Sequence, residues 1–309
     1  MRSTAALATL LLVVSTGAPA DAQSYRQFTR WCFGDASAEQ TIQGCDAVIR
    51  WARETPRDTG TAFYNRGLAL AAMGQIDRAI DDYDQAINLR PDLASAYNNR
   101  GLAWRLKGDE ARALDDFDQA LRLDSGDVDA LYNRGLALTA LRQYDRAIAE
   151  FNAALRLQPD DFDALAGRGV AWRRKGEFDR AMQDFDQVLR QRADNVAALA
   201  GRCATRAILG RLPAALTDCN EALRLKPGDL AALEARGFVH LRLGEPDAAV
   251  ADYDSVLKIA PSAAGGLYGR GIARRRTGNK VGGDADVAAA TALQADIADE
   301  FARLGVSGS

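Results

Sequence analysis

The chain has 309 residues, 48% of them hydrophobic and 26% charged, with 39 Lys+Arg against 42 Asp+Glu and a net charge of -3. A slightly acidic chain lacks the basic excess with which a dedicated nucleic-acid binder neutralises phosphates, so that role is set aside. The length exceeds what one compact core serves well and suits an array of stacked units.

The N-terminus has the form of an export leader. Arg2 supplies the positive end, residues 5–14 (AALATLLLVV) the apolar run, and small residues follow. Cleavage is expected after Ala22, with Ala20 as the alternative position, leaving Gln23 as the mature N-terminus. The apolar run is too short for a stable span of a bilayer. Residues 1–22 are therefore assigned to a leader, and the mature protein is expected to be periplasmic or secreted, without stable membrane insertion.

Self-similarity dominates the rest. Tyr64-Asn65-Arg66-Gly67 returns as Asn98-Asn99-Arg100-Gly101 and as Tyr132-Asn133-Arg134-Gly135, each step being 34 residues. With residue 60 as position 1, residues 60–297 divide into seven repeats without an insertion. Position 8 is Gly in all but one repeat, where Cys203 replaces it, and positions 20 and 27 are mostly Ala. Position 24 is large: Tyr83, Phe117, Phe151, Phe185 or Tyr253. Gly costs a helix about 1 kcal/mol relative to Ala, so its recurrence needs a packing reason. The reason predicted here is two antiparallel helices closing over the position-24 side chain. Gly74, Gly108, Gly176, Gly210, Gly244 and Gly278 mark the link between the helices, and Pro91, Pro159, Pro227 and Pro261 follow the second helix.

Residues 23–59 align as a degenerate further repeat, with Thr41-Ile42, Cys45 and Val48-Ile49 at positions 20–21, 24 and 27–28. At the other end Asp296 is a candidate N-cap for a last helix with Ile297, Phe301 and Leu304 on one face, as suits a solenoid cap. Residues 298–309 are assigned to the end of that capping helix and a frayed tail.

The 34-residue register resembles the tetratricopeptide repeat family over residues 60–297. The resemblance implies an all-α, right-handed superhelical solenoid of antiparallel helix pairs: seven full repeats, the degenerate N-terminal repeat and the C-terminal capping helix. It also implies a role in binding other proteins, through a groove lined by the first helix of each pair.

Four Cys in an exported chain point to disulfides. In the fifth repeat Cys203 stands at the small position 8 and Cys219 at the large position 24, so the two swaps compensate. The expected pairs are Cys203–Cys219 and, given a shorter inter-helix turn in the degenerate repeat, Cys32–Cys45; buried free thiols are the alternative. The spacings are not those of a zinc finger, and neither metal nor cofactor is expected.

Arg stands at position 7 in every repeat and Asp or Glu at position 23, a scaffold pattern of ion pairs on or between repeats. Carried over by position, the family's groove falls on Tyr64, Leu68, Asn98, Leu102, Arg105, Tyr132, Leu136, Val170, Arg173, Arg174, Phe238, Arg242 and Tyr268. That is an apolar floor beside a basic rim, suited to a protein partner offering an extended peptide or helix with acidic groups among apolar anchors. The competing reading of the Arg residues is that they complement helix dipoles. A carboxylate clamp with Lys at position 5 is not supported, because position 5 carries no Lys. His240, the only His, is read as a packed side chain, and no nucleophile–base pair is evident, so an enzyme is not expected. The alternative to a protein-binding scaffold is a cell-envelope polymer or carbohydrate binder using Tyr64, Tyr132 and Tyr268.

Overall fold

A computed structural model of the chain describes residues 20–51 and 53–306. Residues 1–19, which hold most of the expected leader, lie outside the described residues. Among the described residues there are helices and no strands, and no helix is long and apolar enough to cross a membrane.

The described residues form two compact units that divide between Asp109 and Glu110. The first contains α1 (Ala20–Phe33), α2 (Ala38–Trp51), α3 (Pro56–Ala72), α4 (Ile76–Leu89) and α5 (Ala94–Leu106). The second begins with α6 (Glu110–Leu123), α7 (Val128–Ala140), α8 (Tyr144–Leu157), α9 (Phe162–Lys175), α10 (Phe178–Gln191) and α11 (Val196–Ile208). It continues with α12 (Leu212–Leu225), α13 (Leu230–Leu243), α14 (Pro246–Ile259), α15 (Ala264–Arg276), α16 (Lys280–Leu293) and the short α17 (Ile297–Arg303). Within each unit, successive helices pack as antiparallel pairs, and each pair lies against the next.

The helix boundaries follow from local chemistry. Asp127, Asp161, Asn195 and Asp229, all at position 34, accept a hydrogen bond from the third backbone N–H of the first helix that follows, at 2.9–3.1 Å. The second helices end two residues before the repeat's Pro where one is present, as at Leu157 before Pro159.

Packing inside a pair turns on the position-24 ring. Phe185 is fully buried, and a Cβ at Gly169, in the first helix of its own repeat, would lie 2.8 Å from it. A Cβ at Gly201, position 6 of the next repeat, would lie only 2.4 Å away. Phe151 and Tyr253 are wedged in the same way, between Gly135 and Gly167 and between Gly237 and Gly269. The ring therefore joins two repeats as well as two helices. The position-6 half of that contact is new relative to the sequence reading.

Both expected disulfides are formed, with Cα atoms 4.6 Å apart in Cys32–Cys45 and 5.5 Å apart in Cys203–Cys219. The inter-helix turn of the N-terminal repeat is not shortened, however. It has the four residues 34–37, against three (209–211) in the fifth repeat. The shorter separation comes from the first helix: Cys32 stands one residue before the end of α1, whereas Cys203 stands five before the end of α11, and Cys45 and Cys219 are each the eighth residue of the second helix.

Gly201→Ala should destabilise the protein by about 1–3 kcal/mol through overpacking against Phe185, despite the gain in helix propensity. Gly265→Ala is the contrasting case, because its Cβ meets nothing nearer than the Glu234 carboxylate at 3.9 Å; it should stabilise by roughly 0.4–1 kcal/mol. Urea unfolding of the two variants is expected to give opposite signs.

Candidate interaction face

The position-7 arginines orient the first helices. Arg168 donates to both oxygens of Asp184 at 2.9 and 2.7 Å and, through Nη1, to Asn152 of the preceding repeat at 2.6 Å. Arg202 does the same with Asp218 and Asp186, and Arg270 with Asp286 and Asp254. In the N-terminal unit Arg66 pairs with Asp82 and with Asp46, and Arg100 with Asp84. The position-23 carboxylates are buried except Glu150, which is half-buried, so Arg66, Arg168, Arg202 and Arg270 each hold a desolvated charge and bridge two repeats at once.

The residues expected to line a groove divide between a face of the first unit and a face of the second. In the N-terminal unit Tyr64 and Leu68 lie on α3, and Asn98, Leu102 and Arg105 on α5. Leu68 is exposed, Asn98 is buried, and the Tyr64 hydroxyl accepts a hydrogen bond from Asn99 at 3.2 Å. In the C-terminal unit Tyr132 and Leu136 lie on α7, Val170, Arg173 and Arg174 on α9, Phe238 and Arg242 on α13, and Tyr268 on α15. Tyr132 leans on Phe151 with ring centroids 6.0 Å apart, and Leu136 and Val170 are half-buried.

The C-terminal segment of the chain lies on this second face. Phe301 of α17 stacks obliquely on Tyr268, centroids 4.9 Å apart, and meets Phe238 edge-on at 6.1 Å. Ile297, Phe301 and Val306 are buried in one apolar cluster with Phe238, Tyr268 and Ile272, against which Val170 packs. Glu300 accepts a hydrogen bond from Arg174 at 3.0 Å, and Asp296 accepts one from Arg142 at 2.8 Å. Two sequence expectations are corrected here. Asp296 does not cap α17 with its side chain; its carboxylate takes Arg142 and Gln294 instead. Val306, expected in a frayed tail, is 2% exposed. It is held by a Schellman turn in which Gly305 adopts positive φ and the Val306 N–H donates to the Phe301 carbonyl at 3.0 Å.

The rim arginines divide by role. Arg242 donates to the Ala207 carbonyl at the end of α11 and to the Leu304 carbonyl, both at 3.1 Å. Arg276 donates to Leu241 at the end of α13. These two act largely as helix-end partners, which is the dipole reading. Arg173 differs: its Nε is buried without a hydrogen-bond partner, and desolvation pulls the guanidinium down to about 10, with Arg174 adding to the effect and Glu300 and Glu234 opposing it. It stays cationic near neutrality. Glu234, on the same face, has its carboxyl pushed up by burial, against the opposing pull of Arg174 and Arg173. His240 is half-buried, with Nδ1 2.7 Å from Glu245 and Nε2 3.7 Å from Asp252, two carboxylates that the repeat pattern did not attach to it.

Family models described as tetratricopeptide repeat match residues 132–196 and 234–302 and, in a second form, residues 94–127; a model described as TPR repeat matches residues 67–108. No curated protein matches the chain. Among solved structures, a tetratricopeptide repeat protein from Parabacteroides merdae aligns at 18% identity over 84% of this chain and 99% of its own, with a TM-score of 0.67. Pseudomonas aeruginosa pilF aligns at 16% identity over 68% and 96%, with a TM-score of 0.54. Yeast Tom70 aligns at 16% identity over 86% and 58%, also with a TM-score of 0.54. At these identities the likeness shows the fold alone.

Glu234 gives a signed pH dependence. In strong acid it is protonated in both folded and unfolded chains and has no effect. As pH rises the unfolded chain ionises first, so the fold loses stability until the buried carboxyl ionises in turn. Glu234→Gln should therefore raise the Tm at pH 7, and the increment should shrink towards zero at pH 4; an equal increment at both pH values would contradict the burial account.

Proposed function

This chain belongs to the tetratricopeptide repeat family, a repeat fold that generally serves protein–protein interaction, and on that premise we propose that it is an exported, non-catalytic scaffold. Its site is the first-helix face of the C-terminal unit, and its ligand is a peptide or helical segment with carboxylates among apolar anchors. The observation that carries the reading is the composition of that face: a cationic Arg173 with a buried, unbonded Nε, and Arg174 beside it, above the apolar floor of Val170, Phe238 and Tyr268. Such a surface favours an anionic group flanked by side chains that can be dehydrated.

Export is supported by the leader-like N-terminus and by two disulfides, which persist in an oxidising compartment.

The test is affinity capture from the exported fraction, with chain from Gln23 onward as bait beside a variant carrying Arg173→Glu and Arg174→Glu. A protein partner retained by the first and lost by the second is the expected result. Retention by both would move the site to another face, and retention of cell-wall polymer instead of protein would overturn the scaffold reading.

A further inference from the structure

The C-terminal segment sits where the proposed ligand would sit, and it has the chemistry that the face selects. Asp296 and Glu300 are four residues apart and meet Arg142 and Arg174, while Ile297, Phe301 and Val306 fill the apolar floor. We propose that the partner of this face presents a segment of the same chemistry, two carboxylates four residues apart with an aromatic side chain directly after the second. The chain's own residues 296–306 are a tethered copy that occupies the site until the partner displaces it. This inference rests on the reading of the face as a peptide site.

Three observations distinguish a displaceable occupant from a permanent cap. The first is Arg142. It occupies the inter-helix position held by Gly in the other six repeats, and it is the only non-Gly residue with positive φ among the described residues, at 59°. That conformation is unfavourable for a side chain with a Cβ, and this residue pairs with Asp296 at 2.8 Å and Glu300 at 3.6 Å. A strained arginine is thus used where a glycine serves every other turn, and its side chain engages the C-terminal segment. The second is the nature of the attachment, which beyond the burial of Ile297, Phe301 and Val306 rests on ion pairs at the surface. Arg142 and Arg174 are about half exposed, so their ion pairs are strongly screened, and α17 has only seven residues, too few to hold a helix by itself. The third is Arg173, whose Nε finds no hydrogen-bond partner with the segment in place. A partner carboxylate reaching Arg173 would satisfy a donor that the tethered copy leaves unmet, which gives the partner a basis for displacing it.

The test uses the chain from Gln23 onward and a fluorescein-labelled synthetic peptide of residues 293–306. Wild type is compared with the Asp296→Lys/Glu300→Lys variant, whose own segment carries the wrong charge for Arg142 and Arg174. Amide hydrogen exchange across 297–306 should accelerate in the variant while α7 to α15 stay protected. The peptide should bind the variant at least about ten-fold more tightly than wild type, because the competent state is no longer masked. Adding Arg174→Glu to the variant should weaken that binding again. Arg142→Gly, which installs the residue used at the other turns and so does not endanger folding, should shift exchange and binding in the same direction by a smaller factor. Equal peptide affinity for wild type and variant, or no binding although residues 297–306 exchange freely, would overturn the proposal and make α17 a structural cap. A captured partner retained equally by wild type and by Asp296→Lys/Glu300→Lys would also overturn it, while leaving the scaffold reading intact. Tight peptide binding with no captured protein would instead remove the scaffold reading and leave the segment as a ligand of its own face.

Discussion

Four position-7 arginines of the C-terminal unit reach in two directions, to the buried position-23 carboxylate of their own repeat and to position 25 of the repeat before. Arg168, Arg202, Arg236 and Arg270 all show this geometry, with Asn152 and Asn220 replacing the carboxylate at position 25 in two cases. An isolated buried carboxylate is costly, so each repeat requires its arginine, and the arginine in turn fixes where the neighbouring repeat lies. At Phe151, Phe185 and Tyr253 the position-24 ring adds a second tie across the same junction, held between glycines of consecutive first helices. Ion pair and ring together leave little freedom in the stacking angle. Within each unit, the outer side chains of the first helices, which take no part in either contact, are thereby lined up on one face.

That face is selective because of what its arginines do and do not touch. Arg242 and Arg276 are engaged with carbonyls at helix ends, so their charge is partly spent on the scaffold. Arg173 and Arg174 keep theirs for whatever lies on the face, next to rings that lose water when covered. The chain's own last residues meet both demands, with Glu300 against Arg174 and Phe301 between Phe238 and Tyr268. The strained turn at Arg142 belongs to the same arrangement. Its backbone conformation is unfavourable locally, and its side chain is engaged with residues far along the chain.

Much of the fold was legible because it is periodic. The 34-residue step, the small side chains opposite a large one at position 24 and the compensating pair Cys203 and Cys219 all follow from aligning repeats and asking what fits. The glycines at position 6 and the Asp or Asn caps at position 34 were equally visible in the register. Both act at the junction with the next repeat, so packing within a single repeat does not reveal them. Gly305 followed by an apolar residue was likewise a readable stop signal. The seating of α17 was not legible, for a physical reason. The Arg142–Asp296 and Arg174–Glu300 pairs join residues 154 and 126 apart, and no periodic argument selects one such pairing from the many acidic and basic side chains of a repeat protein. Asp296 looked like a helix cap because the local pattern allows one. Tertiary contact with Arg142 gave its carboxylate a different partner.

The account stands or falls on whether the C-terminal segment engages the first-helix face in solution, and a double-mutant cycle across Arg174 and Glu300 measures this directly. Arg174→Ala, Glu300→Ala and the double variant would be compared by urea unfolding at low salt, where a half-exposed ion pair retains most of its strength. The predicted result is a coupling of about 0.5–1 kcal/mol that falls as salt is added. Strict additivity of the two single substitutions at low salt would mean that the segment does not rest on this face, and the assignment of the face as a site for acidic, apolar segments would lose its structural basis.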